Sequence, residues 1–380
     1  MIHFGAVAVF LWCIAQFYQP DTGFTSLIRF GDRVQAGSLP AVSDVPRHIE
    51  QQSTGYDGQF YAQMAMDPLL RDPRIDRALD DAPLRARRIL FAWTAHVLGL
   101  GEPRWILQAY ALQNVVCWLL LSVLLLRWFP PVSARMTALW LASLFSGGLI
   151  WSVRSALLDG PSVLLLALGV AAVERGSRWW SAAIFGVAGL GRETNLLAAS
   201  AQVDPSATSW RAIVRQTAQL VVIVLPLAVW FDYIYSIYRS TIYTAGETLS
   251  TPFVGFFWKW NIALTDVIAH GLQGRARFSV LAVVAISVQV AFFVARPAFK
   301  DPWWRLGIAY AALMPFMGVP LWEGEPGTVV RALLPLALAF NVRLRSLVDP
   351  RAFWPLFVAG NLTTVQALAI LRVPFLSSWL

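Results

Sequence analysis

The chain has 380 residues, 57% of them hydrophobic and only 14% charged, with a net charge of +8. Soluble domains carry about 25% charged residues, so this balance excludes an ordinary soluble domain and predicts an all-α polytopic membrane protein, with 1–380 as one integral membrane domain. The cations are arginine throughout except Lys259 and Lys300, and they are scattered through short connections rather than gathered on one face, which argues against nucleic acid as a partner.

Ile2 to Tyr18 is the first apolar run. No basic residue stands ahead of a hydrophobic stretch as in a leader, and Gln19-Pro20-Asp21 offers no small-x-small cleavage site, so a retained span is expected. Residues 19–104 form a large first loop. Its polar part, 19–87, is broken by prolines and glycines. Arg87-Arg88 then opens the run Ile89 to Leu100, which is too short to cross about 30 Å of hydrocarbon and predicts an interfacial or re-entrant helix.

Further spans are expected near 105–127, 135–153, 158–174, 213–236, 278–296, 304–321, 328–344 and 353–371, about nine with the first. Between them, 179–203 reads as a pair of re-entrant half-helices. Gly186, Gly189 and Gly191 interrupt the apolar run, and Arg192-Glu193-Thr194 follows at once. The stretch 239–277 reads as a second loop. This arrangement puts Arg127, Arg135, Arg178, Arg305 and Arg343 on one face, as the positive-inside rule requires, and both large loops on the other. Trp179-Trp180 and Trp303-Trp304 fit helix starts at an interface. Cys13 and Cys117 lie within apolar runs and suggest neither a disulfide nor a metal.

The chemistry-bearing candidates centre on Gly55-Tyr56-Asp57-Gly58-Gln59-Phe60-Tyr61 in the first loop. A carboxylate in a partly desolvated cleft serves as a general base toward a hydroxyl. The plain alternative for Asp57 is a turn aspartate. Gln59 and Tyr61 suit sugar hydroxyls and Tyr56 suits stacking on a sugar ring, against loop packing as the alternative. Arg87 and Arg88 present planar forks for a phosphate, or snorkel. Arg192 and Glu193 either lock each other or flank a phosphate site. Arg331 is a phosphate ligand or a partner of Glu323 or Glu325. Asp159-Gly160-Pro161 reads first as a helix start. The histidines His3, His48, His96 and His270 are far apart, and no P-loop, GxSxG elbow or dinucleotide fingerprint occurs. No metal ligand set is expected. A second carboxylate such as Asp44 or Asp67 would have to converge on Asp57 for a cation to be held.

The loop heptapeptide, with Ala65-Met66-Asp67-Pro68, resembles the first-loop signature of bacterial membrane proteins of cell-surface glycopolymer formation, and through them the GT-C superfamily of polyprenyl-phosphate-sugar-dependent glycosyltransferases. Arg87-Arg88-Ile89-Leu90, Arg192-Glu193-Thr194 and Arg331-Ala332-Leu333-Leu334-Pro335 are similar to later elements of that family, which has Tyr-Pro where this chain has Phe91-Ala92. The resemblance implies a GT-C-like bundle in a bacterial inner membrane, with the active site facing the periplasm. It implies inverting transfer from a polyprenyl-phosphate sugar donor to a glycan or lipid-linked acceptor, with Asp57 as base and Arg88, Arg192 and Arg331 neutralising the leaving phosphate. No cofactor is required, and a divalent cation is compatible. The rival readings are a transporter or flippase for lipid-linked glycans, which needs the arginines without the acid, and a non-catalytic assembly subunit.

Overall fold

The apolar runs fold as helices whose ends follow from the flanking side chains, as seen in a computed structural model that describes residues 1–238, 248–272 and 276–371. Ser133 accepts from Met136 N at 3.2 Å and starts Ala134–Leu144. Asp301 accepts from Trp303 N at 2.8 Å ahead of Pro302–Leu313, and Asp349 from Arg351 N at 2.9 Å ahead of Pro350–Gly360. In each case a side-chain oxygen satisfies a backbone donor that the first turn leaves free.

Among the described residues, three helices are long and apolar enough to cross a membrane: Pro103–Leu125, Trp210–Tyr238 and Ala276–Ala295. The bent pairs Ala134–Leu144 with Gly147–Arg154 and Pro350–Gly360 with Thr364–Ile370 raise the number to five if each is one span. These five correspond to five of the nine expected spans. The other four appear as shorter helices, among them Ile2–Ala15, Asp159–Glu174 and Leu334–Leu344; the run 304–321 breaks after Leu313. The chain is a multi-pass, all-α membrane protein.

A break exposes backbone carbonyls that lipid cannot satisfy. At Gly360 the carbonyl accepts from Gln289 Nε2 at 2.7 Å, and Asn341 and Asn361 exchange two side-chain hydrogen bonds of 2.9 Å. The segment 179–203 turns back on itself. Arg178–Gly191 is helical, the 3₁₀ turn Glu193–Ala198 follows, and Gln202 Nε2 reaches Arg178 O at 2.8 Å, so the two ends lie side by side.

Trp303 and Trp304 open the helix Pro302–Leu313, as expected, and both are buried: Trp303 Nε1 donates to Glu174 Oε1 at 3.1 Å and Trp304 Nε1 to Phe293 O at 3.0 Å. One expectation changes. The expected loop 239–277 contains the 17-residue helix Val254–His270, while 239–247 and 273–275 lie outside the described residues.

The first loop is tied down. Gln108 accepts from Phe24 N at 2.9 Å and donates to Thr22 O at 3.0 Å; Arg154 donates to Ser26 O at 3.1 Å; Trp230 donates to Ala86 O at 2.8 Å. Phe30–Gly31 and Ile49–Glu50 pair in parallel, the two-stranded element of this loop. The helix Asp159–Glu174 relates the loop to the far end of the bundle. At a rise of about 1.5 Å per residue its ends are roughly 22 Å apart. Glu174 meets Arg127 at 3.2 Å and Trp303, near the Arg343–Asp301 pair, while Asp159 pairs with Arg331, which also approaches Asp57 of the first loop.

Candidate functional site

Asp57 stands at the N-terminus of the helix Gly58–Met66 without using its carboxylate as a cap, so both oxygens are available to other groups. Oδ1 accepts from Arg85 Nη2 at 2.8 Å, and Oδ2 lies 3.6 Å from Arg331 Nη2. About a third of the side chain stays exposed, 34%. Burial works to raise the carboxyl pKa, but Arg85 and Arg331 outweigh it and hold Asp57 below the ordinary carboxylate range.

The backbone around Asp57 is set by its neighbours. Gly58 lies against Ser155 O and Ile28 O; a Cβ there would come within 2.4 Å and 2.8 Å of them. This close approach brings the loop helix against the turn that leads into Asp159–Glu174. Gly58→Ala is therefore expected to cost about 1–3 kcal/mol, the scale of overpacking, seen as a lower unfolding midpoint.

Gln59, read above as a sugar ligand, is used otherwise. Its side chain is buried; Oε1 accepts from Gly31 N at 3.1 Å and Nε2 donates to Thr54 O at 2.8 Å. Its side chain ties Gly31 to Thr54 and is 3% exposed. Gln59→Leu leaves a buried N–H and a C=O unpaired, a loss of about 1–3 kcal/mol, read as a lower unfolding midpoint.

Tyr61 is also buried, and its hydroxyl accepts from Arg85 Nη1 at 3.3 Å and Arg88 Nη1 at 3.4 Å, so it spaces two guanidinium groups. Tyr56 is half-buried. Its ring meets Trp151 edge-on at 5.7 Å, with Arg331 5.5 Å and Arg29 5.3 Å from the centroid.

The arginines are less free than the sequence suggested. Arg88 Nε pairs with Glu193 Oε2 at 3.0 Å, and Arg192 pairs closely with Asp159. Arg192 and Glu193 thus have separate partners and do not lock each other. Arg331 does not pair with Glu323 or Glu325: Nη1 meets Asp159 Oδ2 at 3.2 Å and Nη2 meets Thr328 Oγ1 at 3.2 Å. Arg87 is buried but is not among the cations paired with Asp57, Asp159 or Glu193. The Arg–Arg pair divides as expected of one helical turn, in which residues three apart share a face; here Arg88 aligns with Arg85.

Three members of this network were not singled out as site residues from the sequence. Arg85 makes a two-bond fork to Asp80 at 2.9 and 2.7 Å besides meeting Asp57. Asp159, 4% exposed, joins Arg192 to Arg331. The spacing of Asp80, Arg85 and Arg88 across the short helix Ala82–Ala86, capped by Asp81, was the signal available. Asp44 is exposed and Asp67 accepts from Asp72 N at 2.6 Å; neither joins Asp57. Among the described residues no three His, Cys, Asp or Glu side chains come together as a metal site.

Tyr56 and Arg331 also line a cavity of about 680 Å³ between the Gly147–Arg154 and Val254–His270 helices and the turn 323–328. Arg331 therefore belongs both to the charge network and to the cavity wall. The arrangement sets an ionised, partly exposed carboxylate one guanidinium away from a space large enough for a sugar.

No family model matches the chain, and no curated protein matches it. Among solved structures, the crystal structure of ArnT from Cupriavidus metallidurans in the apo state is similar over 94% of this chain, at 18% identity and a TM-score of 0.48. This chain spans 62% of that chain's length.

Proposed function

We propose that this protein is a membrane glycosyltransferase that moves a sugar from a polyprenyl-phosphate donor to a hydroxyl of a glycan or lipid-linked acceptor. One observation carries the reading: Asp57, ionised and a third exposed, is held between Arg85 and Arg331 beside the cavity. The motif resemblance points the same way. The acceptor oxygen attacks the anomeric carbon, its proton passes to Asp57, and the bond from that carbon to the phosphate oxygen breaks with its electron pair on the leaving polyprenyl phosphate. That phosphate goes from one negative charge to two. Cations fixed in advance near it lower the barrier, because the added charge meets donors that need no reorganisation.

Arg331 is the natural first contact for the phosphate. It faces the cavity, and each guanidinium offers five N–H donors. Arg192 and Arg88 stand behind it, each balanced by a carboxylate in the resting site. The step as written uses arginine where a divalent cation would otherwise serve. A bacterial inner membrane with the site toward the periplasm is favoured by the grouping of Arg127, Arg178, Arg305 and Arg343 away from Asp57.

The test is transfer of labelled sugar from polyprenyl-phosphate donors by the purified chain in proteoliposomes, with mass analysis of surface glycans from a deletion strain to name the acceptor. Label appearing in a glycan supports the proposal. Movement of the lipid-linked sugar across the bilayer with no transfer at any time favours the transporter reading and ends this one.

A further inference from the structure

The cavity beside Arg331 has lining that the proposed step does not use. Trp151, half-buried, and Trp258 contribute aromatic surface, and Asp266, Glu323 and Glu325 contribute carboxylates. Among the described residues none of the three is in an ion pair within 4.0 Å, and the charges of Glu325 and Asp266 act on Lys259. Lys259, 2% exposed, enters from the Val254–His270 helix and donates to Gly324 O at 2.5 Å. It holds the turn that carries Glu323 and Glu325.

The charge on this lining is not balanced. Of the cations lining the cavity, Arg29 is paired with Glu50 at 2.8 Å and Arg331 with Asp159 and Asp57, which leaves Lys259 opposite three carboxylates. An anion seated among Asp266, Glu323 and Glu325, away from Arg331, meets three carboxylates and one ammonium group. Aromatic rings together with carboxylates outside any ion pair suit another ligand. The C–H face of a pyranose packs on a ring, and a carboxylate accepts from neighbouring hydroxyls in charge-assisted bonds.

On the transferase reading, we propose that this cavity is the acceptor subsite and that it selects an uncharged, hydroxyl-rich sugar, with Glu323, Glu325 and Asp266 accepting from its hydroxyls and Trp258 stacking on its ring. Arg331, with Tyr56 beside it, is the part of the lining that meets the donor phosphate. The two substrates are thereby sorted by charge: the anionic donor to the guanidinium side, the neutral acceptor to the carboxylate side. Lys259 is a positioning residue that sets the 323–328 turn.

The test is calorimetric titration of the full chain in nanodiscs with neutral trisaccharides of mannose, glucose and galactose, and with trigalacturonic acid. The neutral sugar that binds best is repeated as its octyl glycoside, which separates a free glycan from a lipid-linked one as the source. At least one neutral trisaccharide is expected to bind at least tenfold more tightly than the uronate. Glu323→Gln with Glu325→Gln is expected to weaken it at least tenfold and to narrow the gap to the uronate, and Trp258→Ala to weaken both the free and the octyl forms. Asp57→Asn is expected to bind the sugar within about twofold of the unaltered chain. Equal or tighter binding of the uronate, no binding of any neutral sugar, or indifference to the paired Gln changes overturns the proposal. If those changes leave binding intact while Asp57→Asn abolishes transfer, the subsite falls and the transferase reading stands. If Gln-sensitive sugar binding is seen in a chain that never transfers sugar, the reverse holds.

Discussion

Asp57→Asn is expected to lower sugar transfer by about two to four orders of magnitude, the usual contribution of a positioned general base, in a protein that still folds. Asparagine keeps the shape of the side chain and loses the ability to take the acceptor's proton. The surroundings tolerate the change because neither arginine is left alone: Arg85 keeps its fork to Asp80 and Arg331 keeps Asp159. Loss of transfer with an unfolding midpoint near that of the unaltered chain assigns the effect to chemistry. Transfer at the original rate would remove Asp57 from the mechanism.

The same carboxylate sets a pH dependence. Burial raises its pKa, yet Arg85 and Arg331 bring it below the ordinary value, so the base form persists down through the usual carboxylate range. kcat/KM, which reports the free enzyme, is therefore expected to stay flat as pH falls through the ordinary carboxylate range and to drop only below it. A donor phosphate that engages Arg331 draws one counter-charge away from Asp57, so the acid limb of kcat is expected at higher pH than that of kcat/KM. The stabilising contribution follows the same sign: it is present above the unfolded pKa and is lost as pH falls through the lowered folded value. Coincident limbs would mean that the phosphate does not compete for Arg331.

Much of the helical layout was legible because long apolar runs in a membrane have one solution for the backbone. Asp57 was legible for a local reason: glycines on both sides and aromatic neighbours mark a tight approach within seven residues. The partners were harder. Asp159 and Arg331 are 172 residues apart, and a helix start at Asp159-Gly160-Pro161 explained the aspartate locally without any long-range contact. The loop bonds of Gln59 were hidden for the opposite reason. Its donor, Gly31 N, lies on a two-residue strand too short to read from pattern, so the amide looked free. The helix Val254–His270 was missed because Lys259, Asn261 and Asp266 interrupt its apolar face, and its buried side is set by the 323–328 turn packed on it.

Asp159→Asn is expected to be the most destabilising single change at the site, by about 3–5 kcal/mol, the scale for stranding a buried charge. Asp159 is 4% exposed and sits between Arg192 at 12% and Arg331 at 7%. Without its charge, Arg331 can turn to Asp57, but Arg192 has no other ion-pair partner among the described residues. Removing the stranded cation as well, in Asp159→Asn with Arg192→Gln, is therefore expected to recover part of the loss. The coupling should fall within about 0.5–3 kcal/mol, as for residues in one network. The activity of the single variant should fall too, because an Arg331 drawn wholly onto Asp57 lowers the base further and withholds its donors from the phosphate. Chemical unfolding of both variants in the same detergent reads the coupling directly. If Asp159→Asn unfolds at the same midpoint as the unaltered chain, Arg192 is finding water or another anion, and the closed chain of charges from Asp80 through Arg85, Asp57, Arg331 and Asp159 to Arg192 is not what holds Asp57 in place.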